Sequence, residues 1–278
     1  LIYFYKLLMK RFKNFYLSLL GVLLIFFSPR IFAESFYNSK DIIFLSLSII
    51  NIYFSLKFID SQKTKNLILY SLSAGLLINS RIMGLIYPIL TFSIILFETV
   101  DNDKVLIEKI KKLILSSFLI LFTAILFWPY LWSDTINNLA FYLSFLKKLT
   151  VHSNTYFGET ILSNNTPWHF KFVWISITIP MGVLIFSVSG FLIMLYMFFN
   201  RIILLEKNNQ LWMNRNESYD FLIFLLLSFP LAASLIYKNN FDGWRHYYYV
   251  YPLLVYHSLY FLNKIKNKHV ILYKSLNF

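Results

Sequence analysis

An all-α, polytopic transmembrane helical bundle of about eight spans is the fold class this sequence predicts, with short extracytoplasmic loops and an interfacial helix. Three observations predict it. Hydrophobic residues make up 58% of the 278 residues and charged residues only 14%, against roughly 45–50% and about 25% in soluble domains. The mean hydropathy is +0.60. Apolar runs approaching the roughly 20 residues of a spanning helix recur along the whole length, parted by short polar islands. The chain reads as one transmembrane unit over residues 1–278.

The first run is Asn14–Ser28, behind Lys6, Lys10, Arg11 and Lys13. Leu1–Met9 is also apolar and extends it as a tilted or broken helix, and Pro29 ends it. A short polar loop follows, Ser28–Asp41. The second run is Asp41–Phe58, with Asp41 in the first turn, where a carboxylate favours the helix dipole. The third and fourth, Leu67–Ile78 and Ile82–Phe97, are parted only by Asn79, Ser80 and Arg81, and read as a tight hairpin. The fifth, Leu113–Trp128, leads into the ring-rich WPYLW at Trp128–Trp132. The polar stretch Ser133–Pro167 contains an amphipathic piece, Asn137–Leu149, suited to lying on the membrane surface. The sixth span is Phe172–Phe199, long enough to tilt or kink at Pro180. The seventh is Phe221–Tyr237 and the eighth Tyr247–Leu262, joined by a tight loop, KNNFDGWRH.

Basic residues orient these spans. Eighteen of the 26 Lys and Arg fall at the N-terminus, in alternate loops and in the tail, and eight on the other side. The side with more is cytoplasmic by the positive-inside rule. The loops around Arg30, Trp132, His152 and Trp244 then face periplasm or lumen. Basic excess here orients helices, so no nucleic-acid partner is expected. With no cysteine, disulfides and thiolate metal sites are excluded.

Chemistry-bearing residues gather in the outward loops. Glu34 and Asp41 are paired acids of the kind that serve as general base, metal ligand or sugar-hydroxyl acceptor. The simpler reading is a helix-dipole role for Asp41 and solvation for Glu34. Arg30 and Lys40 flank them, suited to clamping a phosphate or to pairing with those same acids or with lipid headgroups. Asn38 sits between. In Asp242–His246, Gly243 permits a tight backbone, Arg245 and His246 are phosphate-compatible donors, and Trp244 offers a flat face to a sugar or prenyl chain. An aromatic belt with a snorkelling Arg accounts for Tyr247–Tyr249 but less well for Asp242–His246. His152 and His169 are placed to join Glu34 or Asp41 around a divalent metal, though no metal-binding spacing is present, so no metal ligand is assigned. His257 and His269 read as structural. Arg81 either reaches the outer cavity or anchors its turn. No Walker A loop, GxGxxG or GxSxG is found.

The order of these features resembles the GT-C polytopic glycosyltransferases, especially the family 39 group of protein O-mannosyltransferases and aminoarabinose transferases. The stretches that carry it are SPRIFAESFYNSKD (28–41), SRIMGLIYP (80–88), WPYLW (128–132), TPWHFKFVWISITIP (166–180) and FDGWRHYYYVYP (241–252). The resemblance implies an inverting transfer of a sugar from a polyprenyl-phosphate donor to a protein, lipid or glycan acceptor, at the outer face of a bacterial inner membrane, among membrane lipids. Arg30, Lys40, Arg245 and His246 would hold phosphate. Asp41, Glu34 and Asn38 would contact acceptor or sugar, and Asp242 and Trp244 would complete the binding set. In the family the key acid follows the first helix, whereas SPRIFAESFYNSKD looks like the second outward loop. The expectation is therefore an N-terminally truncated chain whose main catalytic acid precedes Leu1, with loss of activity one consequence open to the fragment. A transporter or flippase of lipid-linked sugars, or a non-catalytic membrane subunit, are the rival readings. Transporters place polar groups at the bilayer midplane, and here they collect at one edge.

Overall fold

The computed structural model describes residues 1–97, 103–147, 151–208, 212, 214–236 and 242–276. Lys148 and Leu149 of the amphipathic piece, Tyr237 of the seventh span, and Lys238–Phe241 of the last outward loop lie outside them. Among the described residues twelve helices dominate: α1 (Ile2–Phe12), α2 (Phe15–Phe26), α3 (Pro29–Glu34), α4 (Ser39–Asp60), α5 (Thr64–Ser80), α6 (Ile86–Phe97), α7 (Asp103–Leu126), α8 (Thr135–Lys147), α9 (Phe170–Thr178), α10 (Met181–Asn208), α11 (Arg215–Ile236) and α12 (Tyr251–Leu276). Three of them, Ser39–Asp60, Met181–Leu204 and Arg215–Ile236, are long and apolar enough to cross a membrane, and Phe15–Phe26 and Ile82–Phe97 are shorter apolar helices. The fold class is as the sequence predicts, a helical membrane protein.

The first run is broken rather than tilted. Lys13 adopts a left-handed conformation (φ 50°) and ends α1, and Asn14 caps α2 by accepting from the Leu17 N–H at 3.0 Å. α1 then packs beside α2 and buries Phe4, Leu7, Leu8 and Phe12. The polar loop at 28–41 is largely helical: Pro29 occupies the first turn of α3, where its missing N–H costs nothing, and Asn38 caps α4 by accepting from the Asp41 N–H at 3.1 Å. The sixth run is two helices, not one, because Pro180 interrupts it between α9 and α10.

α4 is the central strut. Asp41 stands in its first turn and Asp60 at its end. Nineteen steps at about 1.5 Å separate them by about 28 Å, close to the roughly 30 Å hydrocarbon core. One carboxylate therefore marks each rim of the bundle. α5 returns antiparallel along α4, with Asn51 donating to Ser73 at 2.9 Å and Tyr70 stacked on Phe58 at 4.9 Å. Beyond extended Arg81 the chain reverses into α6, where Thr91 meets Ser55 at 3.2 Å, so the expected hairpin is present. α7 runs beside α5 through a Ser71–Ser116 hydroxyl pair at 2.8 Å. A Cβ on Gly75 would lie 2.5 Å from Thr123 Cβ and 2.8 Å from the Ile120 carbonyl, the close small-residue approach that holds helices together in lipid.

At the Asp60 rim, ionic contacts staple α1 to the rest. Lys10 and the Tyr219 hydroxyl both bind Asp60. Arg11 grips Asp220 with two hydrogen bonds of 2.6 Å, and the Tyr256 hydroxyl donates to the same carboxylate at 2.6 Å. At the Asp41 rim, α7 runs into WPYLW and then α8, whose Ile136, Phe141 and Phe145 are exposed, as suits a helix lying along a membrane surface. A two-stranded antiparallel hairpin, β1 (Ser153–Tyr156) and β2 (Glu159–Leu162), follows. Its tight turn uses Phe157 and Gly158, both at positive φ. No strand was expected there, because four-residue strands around Phe-Gly carry little alternating signal.

Candidate functional site

The site grows from the α3–α4 junction. Glu34 ends α3, Asn38 caps α4 and Asp41 stands in its first turn, so the short turn between the two helices gathers them. Asn38 ties them together: its Nδ2 donates at 2.8 Å to Glu34 Oε2 and at 2.8 Å to Asp41 Oδ2. Both acids are buried, so each needs partners. Glu34 receives the Tyr248 hydroxyl at 2.8 Å and faces Arg30 Nη2 at 3.4 Å. Arg30 Nε also donates to the Tyr248 oxygen at 2.6 Å. Asp41 is held from two sides: Arg81 ion-pairs with Oδ1, and Arg245 Nε lies 3.2 Å from Oδ2.

Arg81 arrives from the hairpin between α5 and α6. Arg245 and His246 arrive from a turn and the 3-10 helix Arg245–Val250 that leads into α12. That turn is pinned beneath. Trp244 is buried and meets Tyr248 edge-on at 5.1 Å; Tyr249 meets Phe44 of α4 at 5.0 Å. Asp242 and Gly243 both adopt left-handed backbone (φ 56° and 63°), and a Cβ on Gly243 would stand 3.2 Å from the Trp174 ring of α9. Gly243→Ala is therefore expected to lower stability by about 1–2 kcal/mol, read as an earlier unfolding midpoint in detergent.

Arg30, Glu34, Tyr37, Asn38, Lys40, Asp41, Arg81, Asp242, Arg245 and His246 line one open cleft of about 420 Å³. The structure thus brings together all of the sequence-proposed site residues except Trp244, which packs under the turn and shows no face to the cleft. The four cations outnumber the three acids, so the cleft favours an anion. The simple ion-pair reading offered for Arg30 and Lys40 is realised at Arg30, which faces Glu34, and Arg245, read as a belt arginine, also holds carboxylates. An apolar groove of about 420 Å³, lined by residues such as Ile25, Phe26, Phe32, Phe36 and Ile49, opens on the other side of α3.

Burial, then the neighbouring Arg81 and Arg245 cations, push the His246 pKa down to about 4. Arg81 Nη1 sits 2.9 Å from His246 Nδ1, and since the guanidinium can only donate, Nδ1 accepts and the ring proton is on Nε2. His246 is thus a neutral donor at physiological pH. Its folded pKa lies below the ordinary 6.5, so its contribution to stability is full above about pH 6.5 and declines as the pH falls towards 4. That decline is expected to flatten in His246→Asn, measured as unfolding midpoint against pH.

Two contributors went unassigned in the sequence. Arg81 was left between cavity and turn, and it does both. Lys171 at the start of α9 is buried and donates to the Tyr247 hydroxyl at 3.0 Å, and burial pushes its ammonium down to about 8. A lysine beside an aromatic run was the available signal. His152 and His169 do not line the cleft; the His169 ring lies 6.0 Å from Tyr156 and 5.4 Å from Trp168. Among the described residues no group of three or more His, Asp or Glu is placed to hold a metal ion.

Residues 1–128 match the model of the family described as dolichyl-phosphate-mannose-protein mannosyltransferase. No curated protein and no solved structure matches the chain. Over α1–α7 the chain is similar to these GT-C membrane glycosyltransferases, and the resemblance drawn from its motifs holds there. The matched stretch contains Arg30–Asp41 and Arg81; Asp242–His246 lie beyond it.

Proposed function

We propose that this chain transfers a sugar from a polyprenyl-phosphate donor to a protein, lipid or glycan acceptor, at the extracytoplasmic face of a membrane. The family match supports a membrane glycosyltransferase, and the excess of Lys and Arg at the Asp60 rim supports the orientation. The observation that carries the reading is the cleft itself. Four cations surround a void at a bundle rim, and an apolar groove adjoins it across one short helix. A phosphate in the cleft with its isoprenoid tail in the groove suits both surfaces.

In an inverting transfer the acceptor hydroxyl attacks the anomeric carbon while the sugar–phosphate bond breaks, and the hydroxyl proton passes to a cleft carboxylate or to the departing phosphate. Negative charge grows on the departing phosphate. Preorganised guanidiniums stabilise that charge more in the transition state than in the ground state. Arg245, Arg30 and Lys40 are placed for this; the His246 Nε2–H is buried and His246 lines the wall beside them. Asp41, held by two guanidiniums, is placed to accept a hydrogen bond from an acceptor or sugar hydroxyl and so to orient it. Glu34, fixed by Asn38 and Tyr248, has the same role. No metal is assigned a step.

The test is donor turnover by the reconstituted protein, followed as prenyl phosphate released from a prenyl-phosphate mannose. Arg245→Ala is expected to lower kcat/KM about 10²-fold, the scale of losing one charge-stabilising donor. Undiminished turnover in that variant would overturn the assignment. Movement of the donor across liposomes without sugar release would favour a flippase.

A further inference from the structure

The cleft contains one carboxylate whose geometry suits competing with a ligand rather than binding one. Asp242 Oδ2 lies 2.8 Å from Arg245 Nη1, and the two side chains are 55% and 36% exposed. Arg81, by contrast, is only 14% exposed against Asp41. Arg81 is thus the fixed cation and Arg245 the accessible one. The backbone that carries Arg245 cannot shift easily. Trp244 is sunk into the core, Gly243 lies against Trp174, and Tyr247–Tyr249 are buried. Any exchange of partners at Arg245 is therefore a swing of its side chain over a fixed base.

Asp242 is also held in a backbone conformation that L side chains rarely adopt (φ 56°). Such strain persists where surrounding structure enforces it, and often at functional sites. It turns the Asp242 carboxylate back over the guanidinium three residues on, with the Arg245 N–H donating to the Asp242 carbonyl at 3.2 Å.

We infer that Asp242 is an acidic latch on Arg245: it occupies the mobile guanidinium in the empty cleft and must be displaced when the donor phosphate binds. This rests on the phosphate-binding reading above and adds a competitor to it. In the empty state Arg245 bridges Asp41 and Asp242. On phosphate binding the guanidinium keeps Asp41 on its Nε edge and turns its Nη edge to the phosphate oxygens. Asp242 then swings towards solvent, where a half-exposed carboxylate is readily hydrated. The latch lowers resting affinity for phosphate and keeps Arg245 from collecting free anions.

The test uses the purified full chain in detergent and farnesyl phosphate as probe, with affinity measured by calorimetry. Asp242→Asn removes the charge, and asparagine tolerates left-handed backbone well. Asp242→Gly removes the side chain and suits the same φ. Losing the exposed pair frees Arg245, and losing repulsion towards the phosphate adds to it, so both variants are expected to bind about three- to tenfold more tightly. Arg245→Gln should bind far more weakly than wild type. Equal or weaker binding by both Asp242 variants, with Arg245→Gln impaired, overturns the latch and leaves the phosphate site standing. Binding unaffected by Arg245→Gln, or no binding by wild type and the Asp242 variants alike, overturns both.

Discussion

Arg81→Met is expected to destabilise the protein by about 3–5 kcal/mol, because it strands a buried carboxylate. Asp41 is 4% exposed and Arg81 14%, so water only partly replaces the lost guanidinium. Arg245 remains 3.2 Å away, but it is half-exposed and shared with Asp242, which sets the loss nearer the lower end. The measurement is chemical unfolding in detergent for Arg81→Met, Asp41→Asn and the double variant. Asparagine keeps the shape of Asp41 and its contact with Asn38 while removing the charge. The double variant should therefore recover much of the loss, giving a coupling energy of at least about 1 kcal/mol. An Arg81→Met midpoint equal to wild type would show that Asp41 does not depend on this arginine. Binding of farnesyl phosphate should fall in the same variant, because the cleft loses a cation and its neighbour Arg245 is drawn towards Asp41.

Arg11→Met at the opposite rim should cost a similar 3–5 kcal/mol with no effect on phosphate binding. Asp220 is 5% exposed and Arg11 12%; the carboxylate takes two guanidinium hydrogen bonds and one from Tyr256. Removing the arginine leaves a charge inside the bundle between α1, α11 and α12. Replacing the pair together, Arg11→Met with Asp220→Leu, should be close to neutral or stabilising, since two desolvated charges give way to apolar packing. The two arginine variants thus separate stability from function: both unfold early, and only Arg81→Met loses the ligand. If Arg11→Met also abolished binding while folded, the two rims would be coupled through the length of the bundle.

Much of the site's first half was legible locally. Glu34, Asn38 and Asp41 lie in one short polar stretch, Ser28–Asp41, so proximity along the chain already gathers them. That Asn38 donates one amide proton to each acid needed coordinates. The second half was legible only as a composition. Asp242–His246 reads as donors around a glycine, and the sequence does not distinguish Trp244 turned to a ligand from Trp244 turned to the core. The structure turns it inward, because Tyr248 and the helices below supply its packing. The break at Pro180 and the left-handed Lys13 show the same division. The sequence marks both places, one with a proline and one with a basic segment, but hydropathy does not report whether a helix tilts, kinks or ends there.

By itself the sequence determined the solvent of this protein, the helical class, and the edge at which its polar chemistry gathers. These follow from quantities that add along the chain: apolar transfer free energy, basic excess and residue spacing. Only the tertiary structure decided which cation closes on which acid. Arg81 and Arg245 reach Asp41 from distant segments, and their meeting depends on how the α5–α6 hairpin and the turn before α12 pack against α4. An ion pair forms where two charges are desolvated together, and that is a property of packing in three dimensions, to which no local stretch of sequence has access.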